Sequence, residues 1–528
     1  MKKHTSIPFL ELESIPLLIK DFLMKKVQGY EDHILSADNL RKQLSAKEKT
    51  FLQPQRQLLY EVLATQHAHV EISEKQHANL EGLRSPDTFT VTTGHQLNLF
   101  TGPVFFIYKI LQTIRLADDL SRDFPDKKVV PVFWMASEDH DFEEINHFKT
   151  ENGYYETKAK SGGAVGEIIV GDDFFISAFG QEFSDTVFGT ELVMLMKKAY
   201  KKGHSLAVAT RILVQELFGD YGLLMIDGND ARLKKQLIPT FRDELLHQKL
   251  AKTTKSTVES LIEQYGKVQV NPRDINLFYL NEERNRIECN DGKYSIVDQP
   301  FSFTEEEILQ ELHEHPEKFS PNALMRPVFQ ETVLPNLAYI GGNAEMMYWL
   351  QLKPYFDTLA LPFPVLVPRS SLLFVTDKTL SKVNKLGLQI EDFFKNFALV
   401  TKNLLLKDNE ILALLQKSEE VIDAQFQEIM DKAATTDPSF GTLVDAEKTR
   451  QLKSFHRMRK RLLRAEKIKQ QEKLQRLENL FLTIHPGKTW QERVYNFSVF
   501  YADHGRDWLQ TCYQQSATTT PELIIVSI

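Results

Sequence analysis

The sequence is poor in cysteine and has no long apolar run. Only two of its 528 residues are cysteines, Cys289 and Cys512, and they form no C-x-x-C pair. This spacing excludes a disulfide framework and a zinc site built from thiolates. Acidic residues interrupt the N-terminal segment, and no stretch approaches the length of a membrane span. We therefore expect a cytoplasmic protein with neither a signal peptide nor a membrane partner.

An excess of positive charge is also missing. The chain has 64 Lys and Arg against 72 Asp and Glu, a net charge of -8. This balance argues against a nucleic-acid partner, because nucleic-acid-binding domains are usually basic. A hydrophobic content of 42% and a charged content of 26% are typical of an ordered globular protein. At this length two to four structural units are expected, with small molecules or proteins as partners.

A strand, a glycine turn and a helix follow one another around residue 94. Residues 88–92 are β-branched or aromatic, and residues 104–120 are apolar at helical spacing. Gly94 lets the backbone leave the strand, and the helix start after Gly102 offers N–H groups to an anion. His95 is the catalytic candidate at the mouth of this site. The residues assigned here to substrate or nucleotide binding are Thr93, Gly94, Gln96, Asn98, Thr101 and Gly102.

The segment Thr92-x-Gly94-His95 is similar to the T/H-x-G-H signature of nucleotidyltransferases and class I aminoacyl-tRNA synthetases. In those proteins the histidine helps to bind nucleotide phosphates. The alternative is a turn glycine beside a histidine that bonds a neighbouring carbonyl. A motif this short needs its structural context.

A second apolar strand is predicted at residues 128–136, and a polar cluster follows it directly. Because parallel strands end at the same edge of a sheet, this cluster and His95 should face one crevice. We assign catalysis, as proton transfer or amine binding, to Glu138, Asp139, His140 and Asp141.

Two other interpretations of this cluster remain open. The acids can be helix caps at a strand–helix junction. If a helix begins here, His140 with Glu144 and Glu143 with His147 share faces, which permits a divalent-metal hydrolase site within residues 138–147.

Later strands near residues 222–227, 337–340 and 364–367 alternate with helices. This alternation predicts an α/β fold with a doubly wound parallel sheet. Polar residues near the ends of these elements are assigned to substrate or nucleotide binding: Arg326, Gln330, Gly341, Gly342, Glu345 and Arg369.

The predicted domains are an N-terminal helical segment (1–85), a core (86–400) with insertions at about 148–200 and 266–320, an arm (401–485), and a C-terminal helical segment and tail (486–528). The arm is predicted to be two antiparallel helices around a breaker at 434–441. Residues 445–470 hold ten Lys or Arg against three acids. That face is either solvated or a surface for an anion, a nucleotide or an acidic partner.

Three motifs occur in order along the chain: residues 93–103, residues 134–144, and residues 324–327 with 339–345. Together with Pro486-Gly487-Lys488 and Gln491-Glu492-Arg493, they resemble the bacillithiol-biosynthesis cysteine-adding (BshC) family. The resemblance implies a Rossmann-like core with two connecting-peptide insertions and a C-terminal α-helical coiled coil that supports a homodimer. It implies a ligase that joins the carboxyl group of cysteine to the amine of glucosaminyl malate, the last step of bacillithiol synthesis.

Amide formation in water requires an activated carboxylate, so the resemblance implies ATP as a substrate and ADP as a product that can stay bound. No metal is expected beyond Mg²⁺ accompanying the nucleotide. The K-M-S-K-S signature of class I synthetases is absent, and Pro368-Arg369-Ser370-Ser371 occupies a comparable late position. A different class of function is a non-catalytic nucleotide-binding scaffold that holds a partner enzyme through the coiled coil.

Overall fold

A computed structural model describes residues 1–159, 163–171, 173–433, 435–516 and 519–528. Parts of the first predicted insertion, residue 434 of the predicted breaker and two residues of the tail lie outside the described residues. In the part of the chain that is described, no helix has the length and apolar character needed to cross a bilayer.

Within the described ranges the strands are short and lie in four sheets. Their bounds are β1 (Lys2–Pro8), β2 (Thr88–His95), β3 (Lys128–Met135), β4 (His147–Lys149), β5 (Tyr154–Glu156), β6 (Leu224–Asp227), β7 (Leu277–Leu280), β8 (Arg284–Asn290), β9 (Lys293–Ile296), β10 (Ser302–Phe303), β11 (Phe319–Pro321), β12 (Asn336–Gly341), β13 (Val365–Pro368), β14 (Ser371–Val375) and β15 (Glu522–Ser527).

Helices make up most of the remaining regular structure. Their bounds are α1 (Leu17–Leu23), α2 (Ala37–Thr50), α3 (Gln53–His67), α4 (Glu74–Gly82), α5 (Phe105–Asp123), α6 (Phe142–Ile145), α7 (Phe174–Phe183), α8 (Gly189–Ala199), α9 (Leu206–Phe218), α10 (Ala231–Lys234), α11 (Ile238–His247), α12 (Lys249–Tyr265), α13 (Glu305–Glu314), α14 (Met325–Val333), α15 (Asn343–Trp349), α16 (Lys353–Thr358), α17 (Asp377–Lys385), α18 (Phe397–Leu405), α19 (Glu410–Ala433), α20 (Pro438–Lys469), α21 (Gln471–Ile484) and α22 (Ser498–Gln515).

The central sheet has five strands in the order β13-β12-β2-β3-β6, and its neighbouring strands pair in parallel. The first of these strands in the chain, β2, lies in the middle. Strands β3 and β6 extend the sheet to one side, and β12 and β13 extend it to the other. The strand order therefore reverses between β2 and β12, which is where α/β sheets of this kind bind ligands, at the carboxyl ends of the strands.

Burial on both faces explains the composition of these strands. All of β2 except His95 is buried, as is all of β3 except Lys128. Near-continuous apolar runs are typical of parallel strands covered on both faces. One core cluster packs the sheet against two helices, with Phe89 and Val91 from β2, Leu116 and Leu120 from α5, and Leu40 and Leu44 from α2.

The chain divides into two compact units. The first comprises residues 1–11, 15–374 and 491–527, and the second comprises residues 12–14, 375–490 and 528. In the second unit, α19 and α20 lie antiparallel, because Arg459 pairs with Glu419 while Lys448 pairs with Asp423. The predicted pair of arm helices is thus present, and two cations of the basic face are engaged within the arm.

The ends of the chain differ from the prediction. The N-terminus was expected to be helical, but β1 pairs antiparallel with β15, from Lys2 opposite Ser527 to Pro8 opposite Glu522. The expected C-terminal tail is therefore a strand. This pairing joins segments about 500 residues apart, and no local pattern in KKHTSIP reveals it.

A buried ion pair links α2 to α14. The side chains of Lys47 and Glu331 are 1% and 0% exposed, and their nitrogen and oxygen atoms lie 3.2 Å apart. The ammonium group also donates to the carbonyl oxygens of Glu331 and Leu334. Removing one partner leaves the other charge buried without compensation.

We expect Lys47→Met to reduce the free energy of unfolding by roughly 3–5 kcal/mol, because the Glu331 carboxylate would lose its partner. Lys42 lies on the same helix and pairs with Asp32 at the surface, where the two side chains are 61% and 62% exposed. Lys42→Met should therefore cost only about 0–1 kcal/mol. Urea unfolding measures the free energy of unfolding of both variants. Equal decreases in the two would contradict a special contribution of the buried Lys47–Glu331 pair.

His67 is a buried neutral histidine at the end of α3. Its Nδ1 lies 2.8 Å from the carbonyl oxygen of Leu63, and its Nε2 accepts the N–H of Met225. Burial, with the charge of Arg211 adding to it, lowers the pKa of His67 to about 4. The histidine therefore stays neutral in the fold while it would be protonated in the unfolded chain below its ordinary pKa of about 6.5.

The free energy of unfolding should therefore decrease as the pH is lowered from about 6.5 to 4, since the unfolded state binds the proton in this range and the folded state does not. The contribution of His67 is complete above this window and decreases by roughly 1.4 kcal/mol per pH unit within it. In His67→Gln this part of the slope should disappear from urea unfolding curves. His69→Gln, at an exposed position, should keep the wild-type slope. A slope unchanged in His67→Gln would refute the assignment.

Candidate active site

His95 ends β2 at the point where the strand order reverses. Its ring lies 5.3 Å from that of Phe105 and 5.1 Å from that of Phe106 at the start of α5. Burial lowers the pKa of His95 to about 3, and the charge of Lys109 acts in the same direction. Its buried Nε2 has no hydrogen-bond partner among the described residues. A neutral imidazole with an unused nitrogen is suited to hydrogen-bond a ligand.

A buried ion pair holds the turn beside His95. The ammonium group of Lys109, 1% exposed, donates to the Gly94 carbonyl and to Glu345 Oε1, each at 2.5 Å. Glu345 also accepts from the Tyr339 hydroxyl at 2.5 Å and from the Gly342 N–H at 3.2 Å. Burial alone would raise the pKa of Glu345, but Lys109 and Tyr339 lower it. The carboxylate therefore stays ionised and ties β2, α5 and α15 together.

Arg326 continues this network on α14. Its guanidinium donates to Gln330 Oε1 at 2.8 Å and to the Tyr339 hydroxyl at 3.4 Å. A Cβ at Gly94 would lie 3.4 Å from both Arg326 Nη1 and the Tyr339 hydroxyl. The predicted residues Gly94, Arg326, Gln330 and Glu345 are thus brought together, although Gln330 is fully buried and serves Arg326.

Arg369 lies at the end of β13, where its N–H donates to the carbonyl oxygen of Gly341. Its guanidinium forms a buried two-point ion pair with Glu492, at 2.9 and 2.6 Å. It also lies 5.0 Å from the ring of Phe105, and Arg493 lies 5.9 Å from the same ring. Arg369 is therefore already paired with a carboxylate, and its assignment to substrate or nucleotide binding stays a prediction.

The surroundings of His95 carry a net positive charge. Four cations, Lys109, Arg326, Arg369 and Arg493, face two carboxylates, Glu345 and Glu492. An excess of positive charge favours an anionic ligand.

Gln96 joins the two polar loops that the sequence placed at one edge. Its side-chain amide donates to Asp139 at 2.9 Å and to Glu144 at 3.3 Å. Burial alone would raise the pKa of Asp139, but hydrogen bonds from the backbone N–H of His140 and from Gln96, together with the charge of Arg284, bring it well below its usual range. Asp139 is therefore held ionised, and it lies four residues after Met135, which pairs with His95 on the neighbouring strand.

The other acids and His140 of residues 138–144, called the acid loop below, have different surroundings. Glu138 lies 2.5 Å from the buried ammonium group of Lys234, and that pairing removes it from the set of free bases. Asp141 and Glu144 are exposed on the same loop. His140 Nδ1 lies 2.8 Å from a guanidinium nitrogen of Arg284, which comes from the second predicted insertion.

The loop from residue 98 to residue 102 differs from the open helix start that was predicted. Phe100 and Thr101 have φ of 45° and 68°, and Gly102 has φ of 63°. The buried Asn496 side chain donates to the carbonyl oxygens of Phe100 and Gly102, and the Tyr495 carbonyl accepts the Val104 N–H. The loop therefore differs from the prediction because a segment distant in the sequence, residues 495–496, covers it.

That packing buries three of the predicted binding residues. Asn98, Thr101 and Gly102 are all buried, and neither Asn98 Oδ1 nor Thr101 Oγ1 has a hydrogen-bond partner in the described residues. Thr93 instead donates to the carbonyl oxygen of Ile340 and so joins β2 to β12.

The metal-hydrolase interpretation required a helix through residues 138–147. Helix α6 covers only Phe142–Ile145, and His147 begins the strand β4. His140 and His147 therefore do not share helix faces with Glu144 and Glu143. Within the described ranges there is no group of three His, Cys, Asp or Glu side chains placed to hold a metal ion.

Four residues at the site were not singled out from the sequence. Lys109 is the one with a recognisable signal, a lone charge in the apolar segment Phe105-Phe-Ile-Tyr-Lys-Ile-Leu. Lys234, Arg284 and Asn496 carry no local signal, because each reaches the site from a distant segment.

Comparison with known proteins identifies the family. The N-terminal Rossmann-like domain of bacillithiol biosynthesis BshC matches residues 9–370, and the C-terminal coiled-coil domain of the same family matches residues 372–528. Proteins named "Putative cysteine ligase BshC" are similar along nearly the whole chain. Those of Flavobacterium johnsoniae and Christiangramia forsetii are each 39% identical, with 97% and 96% of both chains covered.

More distant relatives agree with this result. The Bacillus mycoides protein of the same name is 27% identical over 95% of this chain and 97% of its own. A solved structure titled as a putative arginyl-tRNA synthetase from Campylobacter jejuni is 10% identical and covers 84% of this chain and 98% of its own, but its TM-score of 0.21 carries no argument. The two family domains together span almost every residue, and the chain belongs to the bacillithiol biosynthesis BshC family, with its Rossmann-like core and C-terminal coiled coil.

Proposed function

We propose that this protein joins the carboxyl group of L-cysteine to the amine of glucosaminyl malate, with ATP as the source of activation. The name shared by the relatives supports a cysteine ligase. The observation that carries the proposal is the division of charge at one sheet edge, with cations around His95 and carboxylates beyond Gln96.

The cationic side suits the activated acid. The charges of Lys109 and Arg369 act on a neutral His95, whose Nε2 has no hydrogen-bond partner among the described residues. An anionic phosphate or carboxylate oxygen placed there would gain a hydrogen bond and the field of these charges.

The acidic side suits the amine. Asp139 stays ionised because of the hydrogen bonds it accepts, so it holds an ammonium group better than it removes a proton. Asp141, Glu143 and Glu144 are exposed on the same stretch and are available to accept that proton. The amine nitrogen then attacks the activated carboxyl carbon, and the phosphate-bearing group leaves with the electrons of the C–O bond.

The late loop that replaces the K-M-S-K-S position is fixed in place. Arg369 is paired with Glu492, the Ser370 N–H donates to Gln112, and the Ser371 hydroxyl donates to Glu492. Because this loop is held by hydrogen bonds and has no lysine, we propose that the cysteine carboxylate is activated without the mobile lysine of the K-M-S-K-S signature. Whether AMP or ADP accumulates during turnover distinguishes an adenylate from an acyl phosphate.

Purified protein with cysteine, glucosaminyl malate and ATP should form bacillithiol, detected by mass. His95→Ala should lower kcat/KM by about 10²- to 10³-fold, as expected for loss of a group that stabilises developing charge. His69→Ala, at an exposed position, should leave turnover unchanged. Absence of product with the wild-type protein would favour the scaffold hypothesis, and full activity in His95→Ala would remove His95 from the catalytic residues.

We also propose that the protein is a homodimer formed through the arm. Large apolar side chains are exposed there, including Leu414 and Leu443 at 64% and 62%. Light scattering of the full chain should give about twice 61.0 kDa. Leu414→Glu should shift it to the monomer. Leu52→Glu, at an equally exposed position outside the arm, should not, and a wild-type monomer would refute the proposal.

A further inference from the structure

Arg284 is a rigidly held cation that reaches the acid loop from the second insertion. It begins β8, and its side chain is 7% exposed. Its Nε donates to Ser320 Oγ at 2.9 Å, its Nη2 donates to the Pro321 carbonyl at 2.8 Å, and its guanidinium lies 4.0 Å from the ring of Phe278. These contacts leave Nη1 as the group directed at the acid loop.

Nη1 of Arg284 lies 2.8 Å from His140 Nδ1. A guanidinium group only donates hydrogen bonds, so Nδ1 must be the acceptor. The proton of a neutral His140 is therefore on Nε2. The lone pair of Nδ1 is engaged, and Nε2 has none to offer. His140 is thus a hydrogen-bond donor at this site and has no free lone pair with which to act as a base.

The surrounding charges decide which kind of atom His140 can contact. Asp139, Asp141, Glu143 and Glu144 are close along the same stretch of chain, and Arg284 Nη1 lies 3.8 Å from Asp139 Oδ1. A carboxylate or phosphate would be repelled there. A hydroxyl group avoids this repulsion, because its oxygen can accept from Nε2–H while its proton is donated to a carboxylate.

We propose that Arg284 is a positioning residue that fixes His140 as the Nε2–H tautomer, and that His140 then donates to a hydroxyl oxygen beside the amine of the acceptor substrate. The acid loop, bordered by the second insertion, is thereby the amino-sugar subsite. The subsite assignment rests on the proposed function, whereas the tautomer does not.

The tautomer is tested in the full-length protein labelled with ¹⁵N-histidine. The chain has 15 histidines, and the signal of His140 is the one missing from His140→Gln. At mildly alkaline pH the wild-type spectrum should show protonated Nε2 and unprotonated Nδ1. Arg284→Met keeps the packing on Phe278 but removes the donor, so the two tautomers should become mixed.

Two matched variants separate this effect from a general disturbance. Arg284→Lys keeps a donor and should retain more of the Nε2–H form than Arg284→Met. Arg286→Met changes an exposed arginine on the same strand and should leave the spectrum unchanged. A wild-type Nδ1–H tautomer, or an unchanged spectrum in a folded Arg284→Met, would overturn the role of Arg284.

Kinetics test the subsite. His140→Ala should raise KM for glucosaminyl malate by about 3- to 10-fold, the value of one neutral hydrogen bond. KM for cysteine and for ATP should not change. His140→Gln should largely restore KM, because a glutamine amide donates like Nε2–H but cannot act as a base. Equal loss in the two variants, or a change confined to cysteine, would overturn the subsite. Absence of wild-type turnover would refute the proposed function and leave the spectroscopic result intact.

Discussion

The central position of β2 is the constraint on which this structure depends. Its parallel pairing with β3 on one side and β12 on the other brings three strand ends to one edge. Because the first strand of the sheet lies between the second and the fourth, the connections leave in opposite directions, which is the position where sheets of this kind bind ligands. His95 and Gln96 lie at that end of β2, so the proposed chemistry is arranged around two consecutive residues.

Charges are separated on the two sides of those residues. Towards β12, Lys109 and Glu345 form a buried pair, and further arginines give that side a positive excess. Towards β3, Gln96 is shared by two carboxylates. Buried charges are stable only when they are paired or hydrogen-bonded. The networks that hold these groups therefore also fix their positions, and Glu138 shows the consequence, since its pairing with Lys234 removes it from chemistry.

Segments far apart in the chain complete the site. Asn496 holds the carbonyl oxygens of a loop with two consecutive non-glycine residues at positive φ. Such backbone is strained and persists only when its surroundings over-determine it. Arg284 belongs to the second insertion and contacts His140. Residues from outside the central sheet, Asn496 and Arg284, therefore complete the site.

The sequence by itself determined the sheet, the two polar loops and their meeting at one edge, because these depend on local patterns: apolar runs for buried parallel strands, and glycine with polar clusters where strands end. It also indicated the two long arm helices through their periodicity. The tertiary structure alone decided which polar groups are free. Arg369 and Glu138 are paired, the loop of residues 98–102 is covered, and His140 has its lone pair occupied. Each of these facts depends on a partner more than 90 residues away in the sequence, and pairing at that distance leaves no periodic or compositional trace.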